Sequence, residues 1–292
     1  MITETQRHRG KPCLCASVIS RFPSADGTQR FVLKLQDGEL IESVLIPRPD
    51  RATFCISSQV GCGLACSFCL TGQLGFTRDL RADEIISQVL LLQDYTTGRF
   101  SVVFMGMGEP LQNYENVLEA IHFLHDDHGL KLPMSRITIS TAGLIPGIER
   151  LAGEPLFPNL SISLTGATNR TRDELMPINR RYPIEAVIDT VRKLPPMRQK
   201  RVMLECVMIK GVTDSIEDAS ALSNLLRDLR VKVNLIPLNP AEEIPFERSE
   251  DDAILRFQEI LVRNGTATFI RKNRGNDVSG ACGQLRKKIL AS

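Results

Sequence analysis

Long apolar runs are missing from this sequence of 292 residues. The run Val89-Leu90-Leu91-Leu92 is only four residues long, whereas a helix that spans a membrane needs ~20. Residues 1–9 hold no apolar stretch that would serve as a signal peptide, so we expect a cytoplasmic protein without a membrane partner. The 36 Lys and Arg nearly balance the 34 Asp and Glu. This balance excludes a surface that is cationic throughout and leaves only local basic patches for binding nucleic acid.

Cysteine is too sparse for a disulfide scaffold, with eight residues in the whole chain. Without an export signal the thiols should be reduced, so each cysteine is a metal ligand, a nucleophile or part of the core. Hydrophobic residues make up 42% of the chain and charged residues 24%. These fractions predict a globular protein with a full core rather than a disordered or fibrous one.

The sequence pattern changes near residue 50. Before it, residues 29–46 predict a β-hairpin, because Asp37-Gly38 lies between two strand-like runs. From Thr53 onward, strand-like runs alternate with amphipathic helical runs. The predicted strand and helix pairs are 54–56 with 82–93, 102–105 with 114–125, 137–139 with 145–151, 160–164 with 184–194, 202–207 with 216–229, and 231–236 with 251–263.

Six consecutive βα units predict an α/β fold with a parallel sheet that is either open or curled into a full or partial barrel. In both cases ligands bind at the C-terminal ends of the strands. We expect residues 1–50 to form a short N-terminal extension with the hairpin, and residues 51–292 to form the main domain.

Three cysteines have the spacing C-x3-C-x2-C in the loop after the first strand of this domain. They are Cys62, Cys66 and Cys69. A short loop can turn three thiolates toward one point, which suits a [4Fe-4S] cluster with one iron left open for another ligand. Thiolates also suit zinc, but a structural zinc site needs a fourth ligand, and no Cys or His lies close by in the sequence. A non-catalytic, zinc-binding RNA module is therefore the alternative from a different functional class.

The cysteine motif, with Phe68 before its last member, resembles that of radical S-adenosylmethionine (SAM) enzymes. Further segments resemble the RlmN/Cfr subgroup, which methylates adenine carbons in RNA, and the resemblance covers roughly residues 25–290. The family carries an N-terminal helical accessory domain, of which this sequence shows almost nothing. The segments with this resemblance are CISSQVGC at 55–62, FMGMGEP at 104–110, ISTAG at 139–143, PIN at 177–179, NLIPLNP at 234–240 and VSGACGQL at 278–285.

The resemblance implies a partial (β/α)6 radical SAM barrel with a small N-terminal β element. It also implies a [4Fe-4S] cluster on Cys62, Cys66 and Cys69, and two molecules of SAM per turnover. Thr165 stands where the family has a histidine. The residues that would contact SAM are Gly108, Glu109, Ser140, Ser163, Leu164, Thr165 and Asn239.

Three further residues take part in the family's chemistry. Cys282 would accept a methyl group from one SAM, and a second SAM, cleaved at the cluster, would supply the radical that activates this methyl group. Cys55 would resolve the resulting protein–RNA crosslink through a disulfide bond, and Glu42 would accept the ring proton. Taken without the resemblance, Cys55 fits core packing and Glu42 fits an exposed strand carboxylate. Cys282 lies between Gly280 and Gly283, in a setting unlike a packed core, and therefore fits a reactive role even without the resemblance.

These residues predict a methyltransferase that acts on adenine C2 in ribosomal or transfer RNA. Methylation at C8, as in the Cfr branch, and a diverged paralogue with another RNA target are the alternatives. We expect a monomer that receives electrons from a reductant such as flavodoxin or ferredoxin. RNA phosphates would contact local basic clusters at 170–172, 180–181, 198–201, 271–274 and 286–288.

Overall fold

The computed structural model describes residues 14–285. The basic cluster predicted at 286–288 lies outside the described residues. Within them the strands are β1 (Ala16–Pro23), β2 (Gln29–Leu35), β3 (Leu40–Pro47), β4 (Ala52–Cys55), β5 (Gln59–Cys62), β6 (Gly75–Asp79), β7 (Phe100–Phe104), β8 (Ile137–Thr141), β9 (Asn159–Ser163), β10 (Val202–Met208), β11 (Lys232–Pro237) and β12 (Ala267–Ile270). The α-helices are α1 (Leu70–Gln73), α2 (Ala82–Gln93), α3 (Tyr114–His125), α4 (Ile145–Gly153), α5 (Asn169–Leu175), α6 (Ile184–Arg192), α7 (Pro196–Gln199), α8 (Ile216–Leu225) and α9 (Asp251–Arg263).

One large sheet has the strand order β1-β2-β3-β4-β7-β8-β9-β10-β11-β12. Within this sheet the neighbours in the series β4, β7, β8, β9, β10, β11 and β12 are parallel, while β1 to β4 pair in antiparallel fashion. Strands β5 and β6 form a separate antiparallel pair. In the described part of the chain β1 and β12 are the two edges, so the parallel strands form an open, partial barrel. The predicted α/β class with a central parallel sheet is confirmed.

Local patterns predicted most elements well. Helices α2, α3 and α9 begin and end at the predicted residues. Helix α6 ends at Arg192, before Leu194-Pro195, because a residue that precedes proline disfavours the helical conformation. Helix α8 ends at Leu225 rather than at residue 229, because Asp228 adopts a φ of 68°, which cannot continue a right-handed helix.

The hairpin is part of the large sheet. Strands β2 and β3 form as predicted, and β3 pairs with β4, the first strand of the barrel. Sequence patterns did not predict β1, β5, α1, β6, α5, α7 and β12. Five of these, β5, α1, β6, α7 and β12, have only four or five residues, which is too short to show a clear hydrophobic period.

Helix α2 fastens the segment that leads to the three cysteines. The side chain of Gln88, buried in this helix, accepts hydrogen bonds from Ser43 Oγ and from the backbone N–H of Ser57, both at 2.8 Å. Gln88 Nε2 donates to the carbonyl oxygen of Ser57 at 2.9 Å. No helix within residues 14–285 is both long and apolar enough to cross a membrane.

Candidate active site

Two neighbouring cavities open at the C-terminal ends of the parallel strands. The inner chamber, of about 970 Å³ including its open mouth, is lined by the ends of β7 to β11, the cysteine loop and Cys282. The outer chamber, of about 540 Å³ including its open mouth, is lined by Cys55 and Cys282 among others. Met105, Asn239, Arg271 and Cys282 line both chambers and form the wall between them. The site therefore lies where the strand order predicts it.

All three motif cysteines line the inner chamber. Cys62 ends β5, and Cys69 precedes α1. The backbone N–H of Ser67 donates to Leu175 O at 3.0 Å, which anchors the loop between Cys66 and Cys69. Burial raises the pKa of Cys62 to about 12, and burial with mutual repulsion raises the pKa of Cys66 as well. Thiols in this setting ionise only when a metal centre binds them as thiolates.

The chemistry of these thiols fits a [4Fe-4S] cluster. Cys62, Cys66 and Cys69 are all free and line the same chamber. In such a cluster three thiolates bind three different irons, which leaves the fourth iron open for another ligand.

Glu109 is a buried carboxylate on the wall of the inner chamber, with 2% of its surface exposed. Its oxygens accept hydrogen bonds from the backbone N–H groups of Ala142, at 2.7 Å, and Leu111, at 3.0 Å. Burial raises the pKa of Glu109 to about 7 against the opposing effect of these bonds. The carboxylate is thus rigidly held, and a cation in the chamber would stabilise its charged form.

The glycines before Glu109 have a packing role. A Cβ atom at Gly106 would lie 2.7 Å from the backbone of Ile56, and one at Gly108 would lie 2.6 Å from Cβ of Gln59. Gly108 also has a φ of 103°, which side chains rarely adopt. Gly108 is one of the SAM contacts that the family resemblance implies, and both glycines line the inner chamber. Their lack of a side chain also lets the end of β7 pack against residues 56–59.

The other predicted SAM contacts separate into two groups. Ser140, Ser163 and Asn239 line the inner chamber. Leu164 and Thr165 are fully buried and do not line either chamber. The carbonyl oxygen of Leu164 accepts a hydrogen bond from the guanidinium of Arg172, and Thr165 Oγ1 accepts one from Val207 N at 3.5 Å.

Arg172 was predicted to belong to a basic cluster for RNA, and the structure corrects this prediction. Its side chain is fully buried, donates to Asn179 Oδ1 at 2.9 Å and connects the ends of β8 and β9. Burial lowers the pKa of Arg172 to about 10. Spacing alone does not distinguish this internal arginine from the exposed Arg170 beside it.

Cys282 is fastened to the inner chamber by backbone contacts. Asn239 Nδ2 donates to the carbonyl oxygen of Cys282 at 3.0 Å, and Leu70 N donates to that of Gly283 at 2.8 Å. Gly283 has a φ of 81°, and a Cβ there would approach Phe68 O to 3.3 Å. Cys282 is therefore held between the end of β11 and the cysteine loop.

Cys55 reaches the same wall from the outer side. It ends β4, lines the outer chamber together with Cys282, and both thiols are free. Burial raises the pKa of Cys55 to about 12, the negative charge of Cys282 adds to this effect, and the positive charge of Arg271 opposes it. The structure thus brings two cysteines together that are 227 positions apart in the sequence.

The alternative interpretation of Glu42 as an exposed strand carboxylate is wrong, because its side chain is fully buried. It forms an ion pair with Arg30, which is also buried and donates from Nε to Val278 O at 2.6 Å. The C-terminal segment covers the hairpin at this point, which the local sequence could not show. Val44 pairs with Cys55 on the neighbouring strand, and Glu42 lies two residues before Val44 in β3. The side chains of Glu42 and Cys55 therefore lie on the same face of the sheet. Glu42 does not line either chamber.

Glu205 is a residue of the site that the sequence did not predict. It lies in β10 with 6% of its surface exposed and lines the inner chamber. Its carboxylate accepts hydrogen bonds from Ser161 Oγ at 2.6 Å and from Asn234 Nδ2 at 2.7 Å. A charged residue inside an apolar strand was the signal that could have revealed it.

Comparison with known proteins agrees with this site. The model of the radical SAM superfamily matches residues 56–222. The dual-specificity RNA methyltransferase RlmN of Geobacter sulfurreducens is 46% identical over 92% of this chain and 74% of its own length. The probable dual-specificity RNA methyltransferase RlmN of Thermotoga maritima is 44% identical over 91% of this chain and 78% of its own.

A solved structure gives the same result. The crystal structure of a radical SAM methyltransferase from Sphaerobacter thermophilus matches with a TM-score of 0.91 and 42% identity, covering 94% of this chain and 82% of that one. Radical SAM enzymes use a [4Fe-4S] cluster and SAM, and the inner chamber offers the three thiolates that this cluster requires. The chain belongs to the RlmN family of radical SAM methyltransferases.

Proposed function

We propose that this protein methylates C2 of an adenosine in ribosomal RNA, transfer RNA or both, through a methyl group carried on Cys282. One observation carries the proposal: Cys282 lies on the wall between the inner chamber with the three motif cysteines and the outer chamber with Cys55. The names of the relatives, dual-specificity RNA methyltransferases, support RNA as the substrate.

The position of Cys282 suits the difficulty of the reaction. An sp2 carbon of adenine is not a nucleophile, so a methyl group cannot pass to it from SAM by direct displacement. The cluster and two molecules of SAM, when bound, supply first the methyl group for Cys282 and then the radical that removes a hydrogen atom from it. Cys282 lines the inner chamber with the cluster ligands, where it would receive the methyl group and then react with the radical. It also lines the outer chamber, where it would contact the base.

The residues around Cys282 would complete the reaction. The Cys282 thiolate takes the methyl group by displacement, and Asn239 holds the backbone of Cys282 during this step. Once the methylene carbon on Cys282 bonds to the adenine ring, the adduct must lose the ring proton and one electron, which the cluster, when bound, would accept. Glu42 is the proton acceptor that the family resemblance implies, although its carboxylate is paired with Arg30 and lines neither chamber. Cys55 then attacks the sulfur of Cys282, which forms a disulfide and breaks the bond from sulfur to the methylene carbon; that carbon takes up a proton and becomes the new methyl group of the released base. A reductant such as flavodoxin or ferredoxin would supply electrons and restore both thiols.

The inner chamber would hold SAM. Glu109 would accept from the ammonium group of SAM, beside Gly108, Ser140 and Ser163. In the described part of the chain, the buried Oδ1 of Asn239 has no hydrogen-bond partner, which leaves an acceptor for a ligand. Leu164 and Thr165 would support this wall from behind.

The same proposal covers the organisation of the chain. Residues 1–50 would be an N-terminal extension of the catalytic barrel, which comprises residues 51–292 and includes Cys282. The continuous pairing from β1 to β4 supports a firm attachment between the two parts. We propose that the protein acts as a monomer in the cytoplasm.

Mass spectrometry of nucleosides tests the proposed function. Cluster-loaded protein is incubated anaerobically with SAM, a reductant and unmethylated ribosomal or transfer RNA, and the RNA is digested to nucleosides. We expect 2-methyladenosine, and no product from a Cys282→Ser variant. The appearance of 8-methyladenosine would instead assign the Cfr-like reaction, and no methylated adenosine in either RNA would overturn the proposal.

A further inference from the structure

The outer chamber has a distinctive cationic rim. Arg48, at the end of the β3 segment, and Lys272 and Arg274, after β12, all line the chamber. Arg274 donates to the carbonyl oxygen of Pro47 at 3.2 Å, so the two segments meet directly. Arg48 and Lys272 are exposed at the mouth. Arg48 is more than 200 positions from Lys272 and Arg274 in the sequence, yet all three positive charges lie at the chamber that Cys55 and Cys282 line.

The positive charges on this rim are close enough to repel one another. Burial and the charges of Arg274, Arg51 and Arg271 lower the pKa of Arg48. The carboxylate of Asp50 pairs with Arg51 at 2.9 Å, and its negative charge offsets only part of the effect that burial and the three arginines have on Arg48. Such a concentration of like charge destabilises the free protein and is relieved when an anion binds.

The wall of the chamber has a different chemistry from its rim. The side-chain amide of Asn273 donates to Pro237 O at 3.2 Å, while its buried Oδ1 has no hydrogen-bond partner within residues 14–285. Buried acceptors without partners are costly, and a ligand with N–H donors would satisfy them. An adenine presents its exocyclic amino group as such a donor.

We propose that the outer chamber is the seat of the target nucleotide, that Arg48, Lys272 and Arg274 bind the RNA phosphates beside it, and that Asn273 accepts from the base. This inference rests on the proposed function and deepens it by naming the surface that receives the RNA. SAM and the nucleotide then approach Cys282 from opposite sides. The base must leave its stack to enter, and the phosphate contacts hold the RNA backbone while it does so.

Charge-removing variants of the rim test the inference. Arg48→Gln, Lys272→Gln and Arg274→Gln each remove one positive charge, and Gln at 274 keeps a donor for Pro47 O. The probe is a short fluorescein-labelled RNA hairpin with unpaired adenosines in its loop, and its binding to cluster-loaded protein is measured by anisotropy at several salt concentrations. Arg256→Gln is the matched control, because Arg256 is exposed on α9 and lines neither chamber. Iron content and melting temperature show whether each variant is intact.

The triple variant combines Arg48→Gln, Lys272→Gln and Arg274→Gln. We expect it to bind the hairpin at least about tenfold more weakly than the parent. The slope of log Kd against log salt concentration should fall by about one unit for each phosphate contact that is lost. The control should bind with the parental affinity. Parental affinity and salt dependence in an intact triple variant would overturn the inference, and so would an equal loss in Arg256→Gln. A parental protein that methylates no RNA would instead contradict the proposed function, so the two failures are distinguishable.

Asn273→Leu separates base recognition from phosphate binding. This substitution removes the unpaired acceptor and leaves the cationic rim in place. We expect the affinity for the adenosine hairpin to fall severalfold, with an unchanged salt dependence. A hairpin that carries purine riboside, which lacks the amino group, should bind the parent and the variant alike. If Asn273→Leu has no effect on the adenosine hairpin, Asn273 does not contact the base.

Discussion

The buried ion pair between Arg30 and Glu42 should be a main determinant of stability. Both side chains are almost fully buried, with 1% and 0% of their surfaces exposed. Arg30→Met removes the cation and therefore breaks the ion pair that the carboxylate of Glu42 forms inside the protein. Breaking a buried ion pair on one side costs about 3–5 kcal/mol, whereas its replacement by apolar residues on both sides is close to neutral. The double variant Arg30→Met/Glu42→Leu should therefore be more stable than Arg30→Met alone.

Urea denaturation of the anaerobically purified proteins, followed by circular dichroism, measures this difference. We expect Arg30→Met to lose about 3–5 kcal/mol of unfolding free energy and the double variant to recover most of it. Arg263→Met is the matched control, since Arg263 pairs with Glu259 on the surface, where the two side chains are 73% and 56% exposed. The control should lose less than about 1 kcal/mol.

The prediction has a clear refutation. If Arg30→Met is no less stable than Arg263→Met, or if the double variant loses as much as the two single changes together, the pair is not coupled. Arg30 also donates to Val278 O, in the segment that leads to Cys282. Hydrogen exchange at residues 278–283 should therefore increase in Arg30→Met, and unchanged exchange would show that this bond does not hold the segment.

Three further predictions concern the site. Cys66→Ala should lose the cluster and the formation of 5′-deoxyadenosine, because one of three iron ligands is gone; iron analysis and chromatography check this, and parental product formation would refute the ligand assignment. Cys55→Ala should accumulate protein that is covalently bound to RNA, because radical addition continues without resolution; clean protein with normal turnover would return Cys55 to core packing. Gly108→Ala should lower the unfolding free energy by about 2 kcal/mol or more, because its Cβ would lie 2.6 Å from Cβ of Gln59 at a φ of 103°, and an unchanged melting temperature would contradict the close packing.

Local sequence patterns were sufficient for the α/β class with its parallel sheet and for the position of the cysteine loop. Helices of twelve or more residues, such as α2 and α9, show a full hydrophobic period, so both of their ends could be predicted. The motif cysteines are adjacent in the sequence, and their convergence needs only a short loop. Strand β12 has four residues and lies at an edge of the sheet, where the pattern is weakest.

The rest of the site depends on contacts between distant segments. Glu42 is buried because the C-terminal segment covers its ion pair with Arg30, and no pattern around residue 42 records that contact. Arg172 has an internal role although its neighbour Arg170 is exposed. The meeting of Cys55 with Cys282 followed in the sequence analysis from resemblance to a family. In the structure it follows from the position of both residues on one chamber wall.

The most direct test of the account is the mass of the peptide that contains Cys282. Cluster-loaded protein is incubated anaerobically with SAM and a reductant, without RNA, and then digested and analysed by mass spectrometry. The account predicts that this peptide gains the mass of one methyl group, and that Cys282→Ser abolishes both this gain and the methylation of RNA. A Cys282→Ser variant that still methylates RNA would contradict the account, because the methyl group would then reach adenine without passing through Cys282.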